Sequence, residues 1–106
     1  MAGQGCTSDK IDSRAGVVGA REGEVREMIE RAEKDPSAWD QARVEHLAET
    51  VYSVGIAQAA AYHAWGNNDP ERALRFLELA LSREVNEEKK KKLRKEIAEA
   101  RAAMAT

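Results

Sequence analysis

Residues 62 to 81, YHAWGNNDPERALRFLELAL, contain the end of one helix, a turn and most of the next helix. Gly66 fits the left-handed residue that ends a helix, and the two asparagines that follow suit a turn. Asp69 and Pro70 form a typical helix start, because the carboxylate accepts from free backbone N–H groups and proline suits the first turn. The stretch therefore predicts a helical hairpin whose second helix covers residues 70 to 83.

The composition of the whole chain favours the same fold class. Of its 106 residues, 34% are charged and only 5% are aromatic. Ala, Glu, Arg, Lys and Leu dominate, and these residues favour helices over sheets. The apolar periodicity predicts an all-α, four-helix bundle. The predicted helices cover residues 19 or 20 to 34, 36 to 65, 70 to 83, and 87 onward.

The second of these helices is predicted to be long and continuous, because no glycine or proline interrupts it before Gly55. Its apolar residues recur at alternating spacings of three and four, as along a helix seam. Gln58 lies in the middle of this seam, where a buried amide without a partner would cost about 1 to 3 kcal/mol. We therefore expect that amide to bond within the core or to face its counterpart in a second chain.

The length of this helix suggests a surface for another chain. At 1.5 Å per residue it would span roughly 42 Å, so the shorter helices beside it would each cover only part of it. Uncovered apolar patches usually mark interfaces, and Trp39 and Tyr52 are the best aromatic anchors. The candidate interface residues are Trp39, Val44, Leu47, Tyr52, Ile56, Gln58 and Tyr62.

The N-terminal residues show no period that could bury a helix face. We expect a mobile tail over residues 1 to 16 and a single α-helical domain over residues 17 to 106. Cys6 is the only cysteine, so an internal disulfide is excluded and a reducing cytoplasm is the expected location. No run of about 18 apolar residues is present to span a membrane.

The hairpin quoted above resembles the tetratricopeptide repeat family, over roughly a third of the chain. Tyr62 and Gly66 can supply that family's aromatic and turn glycine, and Glu71, Ala73 and Ala80 its acidic and small residues. The resemblance implies two tightly packed helices followed by a solvating cap helix. Because no second copy occurs in the chain, the alternative is a helical bundle that contains one repeat-like hairpin.

The strongest charge cluster is the run KKKKLRK, residues 89 to 95. Its basic residues are Lys89, Lys90, Lys91, Lys92, Arg94 and Lys95. Two glutamates at 87 and 88 precede lysines by four positions, so we expect ion pairs to neutralise much of the cluster. No aromatic residue is interleaved for stacking on bases. The pattern favours a solvated helix face over a site for nucleic acid.

The chain lacks the short motifs of catalysis. It contains no glycine-rich phosphate loop, paired catalytic carboxylates or serine nucleophile motif, so neither an enzyme nor a cofactor is predicted. His46 precedes Glu49 by three positions, which reverses the Glu-x-x-His order of di-iron bundles. No metal site is predicted.

The sequence thus predicts a non-catalytic module for protein–protein interaction or self-association, which presents a helical apolar surface. The partner would be another chain, a helix or a peptide, and a homodimer is one form of this hypothesis. One alternative is binding of nucleic acid or an acidic partner through residues 89 to 95. Another is an engineered helical scaffold or binder, since the caps and paired charges of the last two helices are regular.

Overall fold

The computed structural model describes residues 11 to 105, which form five α-helices and one short 3-10 turn. The all-α class is confirmed, with five helices in place of the four predicted. The helices are α1 (Ala15–Lys34), α2 (Gln41–Thr50), α3 (Val54–Gly66), α4 (Pro70–Arg83) and α5 (Glu87–Ala105), and the 3-10 turn is Pro36–Ala38. None of the helices in this part of the chain combines the length and apolar character needed to cross a membrane.

The hairpin formed by α3 and α4 agrees closely with its prediction. α4 spans Pro70–Arg83, and the Asp69 carboxylate accepts a hydrogen bond from the Arg72 amide at 3.1 Å. The left-handed residue is Asn68, with φ of 65°, and not Gly66. Asparagine tolerates this conformation because its short polar side chain can bond locally.

The single helix predicted from Pro36 to Trp65 is wrong, because the chain leaves the helical conformation between α2 and α3. Val51 is extended, with φ of −121° and ψ of 135°. Ser53 is also extended, and its hydroxyl accepts from the Ile56 amide at 3.1 Å, which starts α3. The reason given above for spare apolar surface, namely the length of that helix, therefore does not hold.

Two interactions from distant parts of the chain hold the corner between α2 and α3. The Arg83 guanidinium, at the end of α4, donates to the carbonyl oxygens of Val51 at 2.9 Å and Ser53 at 3.4 Å. Asp12 pairs with Val51 as a parallel bridge, through backbone bonds of 2.9 Å to Thr50 and Tyr52. Carbonyl groups freed by the end of α2 thus find donors within the protein.

The tail prediction is wrong for residues 11 to 16. Asp12 is in the bridge with Val51, and α1 begins at Ala15, some four residues before its predicted start. Residues 1 to 10, which include Cys6, lie outside the described part of the chain.

The helices form two layers. From α2 onward, each helix packs chiefly on the next one in the chain, and α1 also contacts α3. α2 and α4 are joined across their outer surface by the ion pairs Arg72–Glu45, at 3.2 Å, and Arg75–Glu49. α3 and α5 are joined in the same way on the other side by the hydrogen bond from Tyr62 to Glu96, at 2.9 Å. α1 lies against α3 and is also linked to α2 by the ion pair of Glu24 with Arg43.

Small side chains allow α3 and α4 to approach closely. The alanines at positions 57, 60 and 61 of α3, and 73 and 80 of α4, are all 0% exposed. Phe76 and Leu77 fill the space beside them, also at 0% exposure. Because burial of apolar area is the main stabilising term in folding, this pair of helices is the centre of the core.

Candidate functional site

A groove runs between α1 and α3. Its volume is about 330 Å³. Val25, Ile56 and Ala59 supply an apolar floor, while Ile29 remains 42% exposed beside it. Charged side chains at 22 and 26 stand at its rim. The residues that line this α1–α3 groove are Glu22, Val25, Arg26, Ile29, Gly55, Ile56 and Ala59.

A second groove, of about 370 Å³, lies on the other side of α3 and reaches α5. Its lining is more polar than that of the first groove. The residues that line this α3–α5 groove are Val54, Gly55, Gln58, Glu84, Lys89 and Lys92. Two lysines on one face of α5 thus oppose the first turn of α3.

Gly55 lines both grooves and so connects them. Its φ is not positive, so the backbone there does not require glycine. A Cβ at this position would meet only the Ser53 hydroxyl at 3.8 Å and a Glu22 carboxylate oxygen at 3.9 Å, which are ordinary contacts. A larger side chain at this position would therefore fit without a backbone clash and would stand where the two grooves adjoin.

The rim of the α1–α3 groove is fixed by hydrogen bonds. Glu22 accepts from the Ser53 hydroxyl at 2.6 Å, which ties α1 to the corner before α3. Glu24 accepts from Arg43 of α2 at 2.8 and 3.1 Å. That guanidinium holds the pKa of the Glu24 carboxyl below its ordinary value of 4.5.

The basic run on α5 is paired differently from its prediction. Lys90 pairs with Glu87 at 3.4 Å and Lys91 with Glu88 at 3.9 Å, in both cases at i,i+3 and not at i,i+4. Within residues 11 to 105, Lys89 and Lys92 form no ion pair with a carboxylate. Among the four consecutive lysines, the two that line the α3–α5 groove are thus the unpaired ones; Arg94 and Lys95, which do not line it, also form no ion pair with the described residues.

Tyr62 links α3 to α5 at the edge of the second groove. Its hydroxyl donates to Glu96 at 2.9 Å and accepts from the Gln58 amide at 3.5 Å. Burial, and then the hydrogen bond to the Glu96 carboxylate, raise the pKa of Tyr62 to about 12.

Gln58 is partly exposed, so the prediction that it is buried in a seam is wrong. The hydrogen-bond partner of its amide, Tyr62, belongs to the same chain.

Three predicted interface residues lie in the core instead of at the surface. Val44 and Ile56 are 0% exposed, and Leu47 is 3% exposed. Because the corner at residues 51 to 53 folds α2 back beside α3, each helix covers the apolar face of the other. The prediction that these side chains remain free for another chain is wrong, although Ile56 contributes to the floor of a groove.

The other predicted interface residues have contacts within the chain. The Trp39 ring stacks on His63 with centroids 4.8 Å apart, and its Nε1 donates to Gln41 at 2.8 Å. Tyr52 is 44% exposed and lies over the Arg83 guanidinium, 5.4 Å from its ring centroid. Neither residue lines the two grooves.

The histidines lie apart from each other and in different surroundings. His46 is exposed on α2, whereas His63 is partly buried beside Trp39, and burial lowers the pKa of His63. Among residues 11 to 105, no group of three or more His, Cys, Asp or Glu is arranged to hold a metal ion.

Gly55 and the α1 side of the first groove were missed by sequence reasoning. The signal for the corner was present, since Ser53 is a strong helix cap and Gly55 follows it by two positions. An uninterrupted apolar pattern outweighed that signal in the prediction. Arg26 and Ile29 line this groove because of the way α1 packs against α3. Local sequence patterns do not predict that packing.

Comparisons of the chain with protein-family models, with curated proteins and with solved structures found no match. The resemblance of the hairpin to tetratricopeptide repeats therefore stays a prediction.

Proposed function

We propose that this chain is a non-catalytic protein-interaction module, which holds an extended peptide segment of another protein across α1, α3 and α5. The observation that carries this proposal is that Gly55 lines both grooves, so that they adjoin at this residue. Two adjoining grooves, one apolar and one more polar, suit a peptide, whose side chains fill pockets while its backbone stays solvated at the rim.

The distribution of exposed apolar residues favours this form of interaction over a flat dimer surface. The large ones among the described residues are Ile11, Ile29, Tyr52, Tyr62, Val85 and Met104. They lie on six different segments, so no helix presents the continuous apolar stripe that a dimer of helices requires. Self-association is the rival outcome of the experiment below.

The placement of the groove residues also supports the proposal. The groove residues all come from α1, α3, α5 and the turn before α5, on one side of the chain. The opposite side, formed by α2 and α4, carries two ion pairs and a cavity of about 300 Å³ whose described lining residues, Asp69, Glu71, Arg72 and Arg75, are all charged. The face with an apolar floor is therefore the one that we assign to the ligand.

The test is a selection of short random peptides displayed for binding to the purified protein, followed by affinity measurements on two variants. Gly55→Leu places a side chain at the junction of the grooves, where only ordinary contacts oppose a Cβ. Gly66→Leu is the matched control. It adds the same side chain to the same helix, about 16 Å away along its axis, where a Cβ meets nothing within 4 Å.

The proposal predicts that peptides are enriched, that Gly55→Leu weakens their binding, and that Gly66→Leu does not. Circular dichroism checks that both variants keep their helices. An absence of enriched peptides, or equal binding by both variants, would refute the proposal. Concentration-dependent dimers disrupted by Gly55→Leu would show self-association on the same face instead.

A further inference from the structure

We infer that the bound segment is acidic: a side-chain carboxylate lies at Lys89 and Lys92 in the α3–α5 groove, and an apolar side chain of the same segment lies in the α1–α3 groove. This inference rests on the proposed function and specifies the chemistry of the partner.

The first support is the selective pairing of the lysine run. Lys90 and Lys91, which do not line the groove, are each within 4 Å of a glutamate one turn earlier, at 3.4 and 3.9 Å. Lys89 and Lys92 are one turn apart, line the groove, and form no ion pair with the described residues. Their positive charge therefore remains available to a ligand.

The second support is the polarity of the groove wall opposite these lysines. Val54 and Gly55 are the first residues of α3, whose N-terminal end carries a partial positive charge. Among the described residues, the one carboxylate that lines the groove is that of Glu84, which already accepts from the backbone amides of Val85 and Asn86, at 3.0 and 3.1 Å. An incoming carboxylate thus meets two free cations and a helix N-terminus.

The third support is that the groove lining changes from polar to apolar on the other side of Gly55. There the floor consists of Val25, Ile56 and Ala59, with the half-exposed Ile29 beside it. A ligand that contacted only the lysines would leave the exposed apolar surface of Ile29 and Ala59 in water. An apolar side chain next to the acidic one would cover that surface, and burial of apolar area favours binding.

Nucleic acid fits this groove less well than an acidic peptide. A phosphate backbone carries regularly spaced charges, but within residues 11 to 105 only two unpaired lysines line the groove, and Glu84 lies beside them. Glu96 and Glu99 continue the same side of α5 with negative charge. No aromatic side chain lines either groove to stack on a base.

The experiment uses the selected peptides, amidated at their C-termini so that only side-chain carboxylates are present. Their affinity is measured for the wild type, for the double variant Lys89→Gln/Lys92→Gln, and for the matched control Lys90→Gln/Lys91→Gln. The two double variants remove the same charge from the same helix turn. A single-stranded oligonucleotide of mixed sequence is titrated against all three proteins in parallel.

The inference predicts that enriched peptides place Asp or Glu within a few residues of an aliphatic residue. It also predicts that Lys89→Gln/Lys92→Gln weakens their binding about tenfold, as the loss of two exposed charge contacts should, while the control changes it less than about twofold. Added salt should lower the affinity of the wild type towards that of Lys89→Gln/Lys92→Gln.

Each adverse outcome has a separate meaning. Peptides that bind in a Gly55-dependent way but lack acidic residues, or bind both lysine variants equally, would overturn this inference and leave the proposed function standing. If no peptide binds, both fail. Tighter binding of the oligonucleotide than of any peptide, with equal losses in the two lysine variants, would assign the basic run to nucleic acid and also overturn the inference.

Discussion

The guanidinium of Arg83 donates a hydrogen bond to the carbonyl oxygen of Val51 at 2.9 Å, although the two residues are 32 positions apart. Arg83 is only 4% exposed, and burial lowers its pKa. Its Nη1 makes this bond and another to Ser53, whereas its Nη2 is buried without a hydrogen-bond partner among the described residues, so the cost of burying the charge is only partly compensated. This contact fixes the end of α4 to the corner between α2 and α3, and the corner determines where α3 faces α1 and α5.

Replacement of Arg83 by methionine should lower the free energy of unfolding by about 1 to 3 kcal/mol, the cost of leaving buried polar groups unsatisfied. The variant removes the donor for two carbonyl oxygens, those of Val51 and Ser53. Urea denaturation followed by circular dichroism measures the change.

Arg72→Met on the same helix is the control for this variant. Its side chain is 49% exposed and its ion pair with Glu45 is at the surface, so a change within about 0.5 kcal/mol is expected. If Arg83→Met were as stable as the control, the cost of burying the Arg83 charge would equal or exceed the value of its hydrogen bonds. The corner would then have another cause.

Ser53→Ala should destabilise the protein by about 1 kcal/mol, the usual cost of removing a helix cap. The hydroxyl accepts from the Ile56 amide at 3.1 Å and donates to Glu22 at 2.6 Å, so the variant loses both the cap of α3 and a link to α1. Ser82→Ala, which removes an exposed hydroxyl bonded to Leu79 of its own helix, serves as the comparison. Equal melting temperatures for the two variants would argue against the role given to Ser53.

The link between α1 and α2 should weaken in acid. Arg43 lowers the pKa of Glu24 in the folded protein below 4.5, so the ionised carboxylate favours folding. The ionised carboxylate adds fully to the free energy of unfolding above pH 4.5. This addition is lost as the pH falls through the lower pKa that Glu24 has in the folded protein. Glu24→Gln should therefore be less stable than the wild type near neutral pH, and this difference should shrink in acid. A difference that does not change with pH would contradict the assignment.

His63 should make stability depend on pH in the same direction but in a higher range. Burial lowers its pKa below 6.5, so the folded protein binds this proton less readily than the unfolded chain does. Stability contributed by the neutral imidazole is present above pH 6.5 and falls as the pH drops through the folded-state pKa. His63→Gln should flatten the stability profile over this range. NMR titration of the His63 imidazole provides an independent check, and a pKa at or above 6.5 would contradict the prediction.

The sequence determined the last two helices most clearly, because their ends carry local signals. Asp69 caps α4 as its position before proline predicted, and Asn86 accepts from the Lys89 amide at 3.0 Å at the start of α5. Capping depends on residues within one turn of each other, so it can be inferred from short stretches. Leu93, Ile97 and Ala100 of α5 are buried in the core.

The corner after α2 could not be inferred in the same way, since its stabilising contacts come from elsewhere in the chain. Asp12 and Arg83 lie 39 positions before and 32 positions after Val51, and both bond to the backbone of the corner. Every residue has a backbone carbonyl, so the sequence does not show which of them will accept a long-range hydrogen bond. The apolar pattern over residues 44 to 61 continues across the corner because α2 and α3 each need a buried face.

The candidate site was predicted in part. The lysine run was recognised as the main charge cluster, but which lysines remain unpaired depends on rotamers along α5. Gln58 and Tyr62 were selected and lie at or beside the α3–α5 groove. Gly55 was treated only as a break in the pattern, because its importance depends on the neighbours that leave space around it.

The central claim is that a partner occupies the face formed by α1, α3 and α5. Amide NMR spectra recorded during titration with a selected peptide test it most directly. The account predicts that the largest shift changes occur at Ile29, Gly55 and Lys92 and disappear in Gly55→Leu. Changes concentrated instead on the opposite layer, at Glu49 and Arg75, would contradict it.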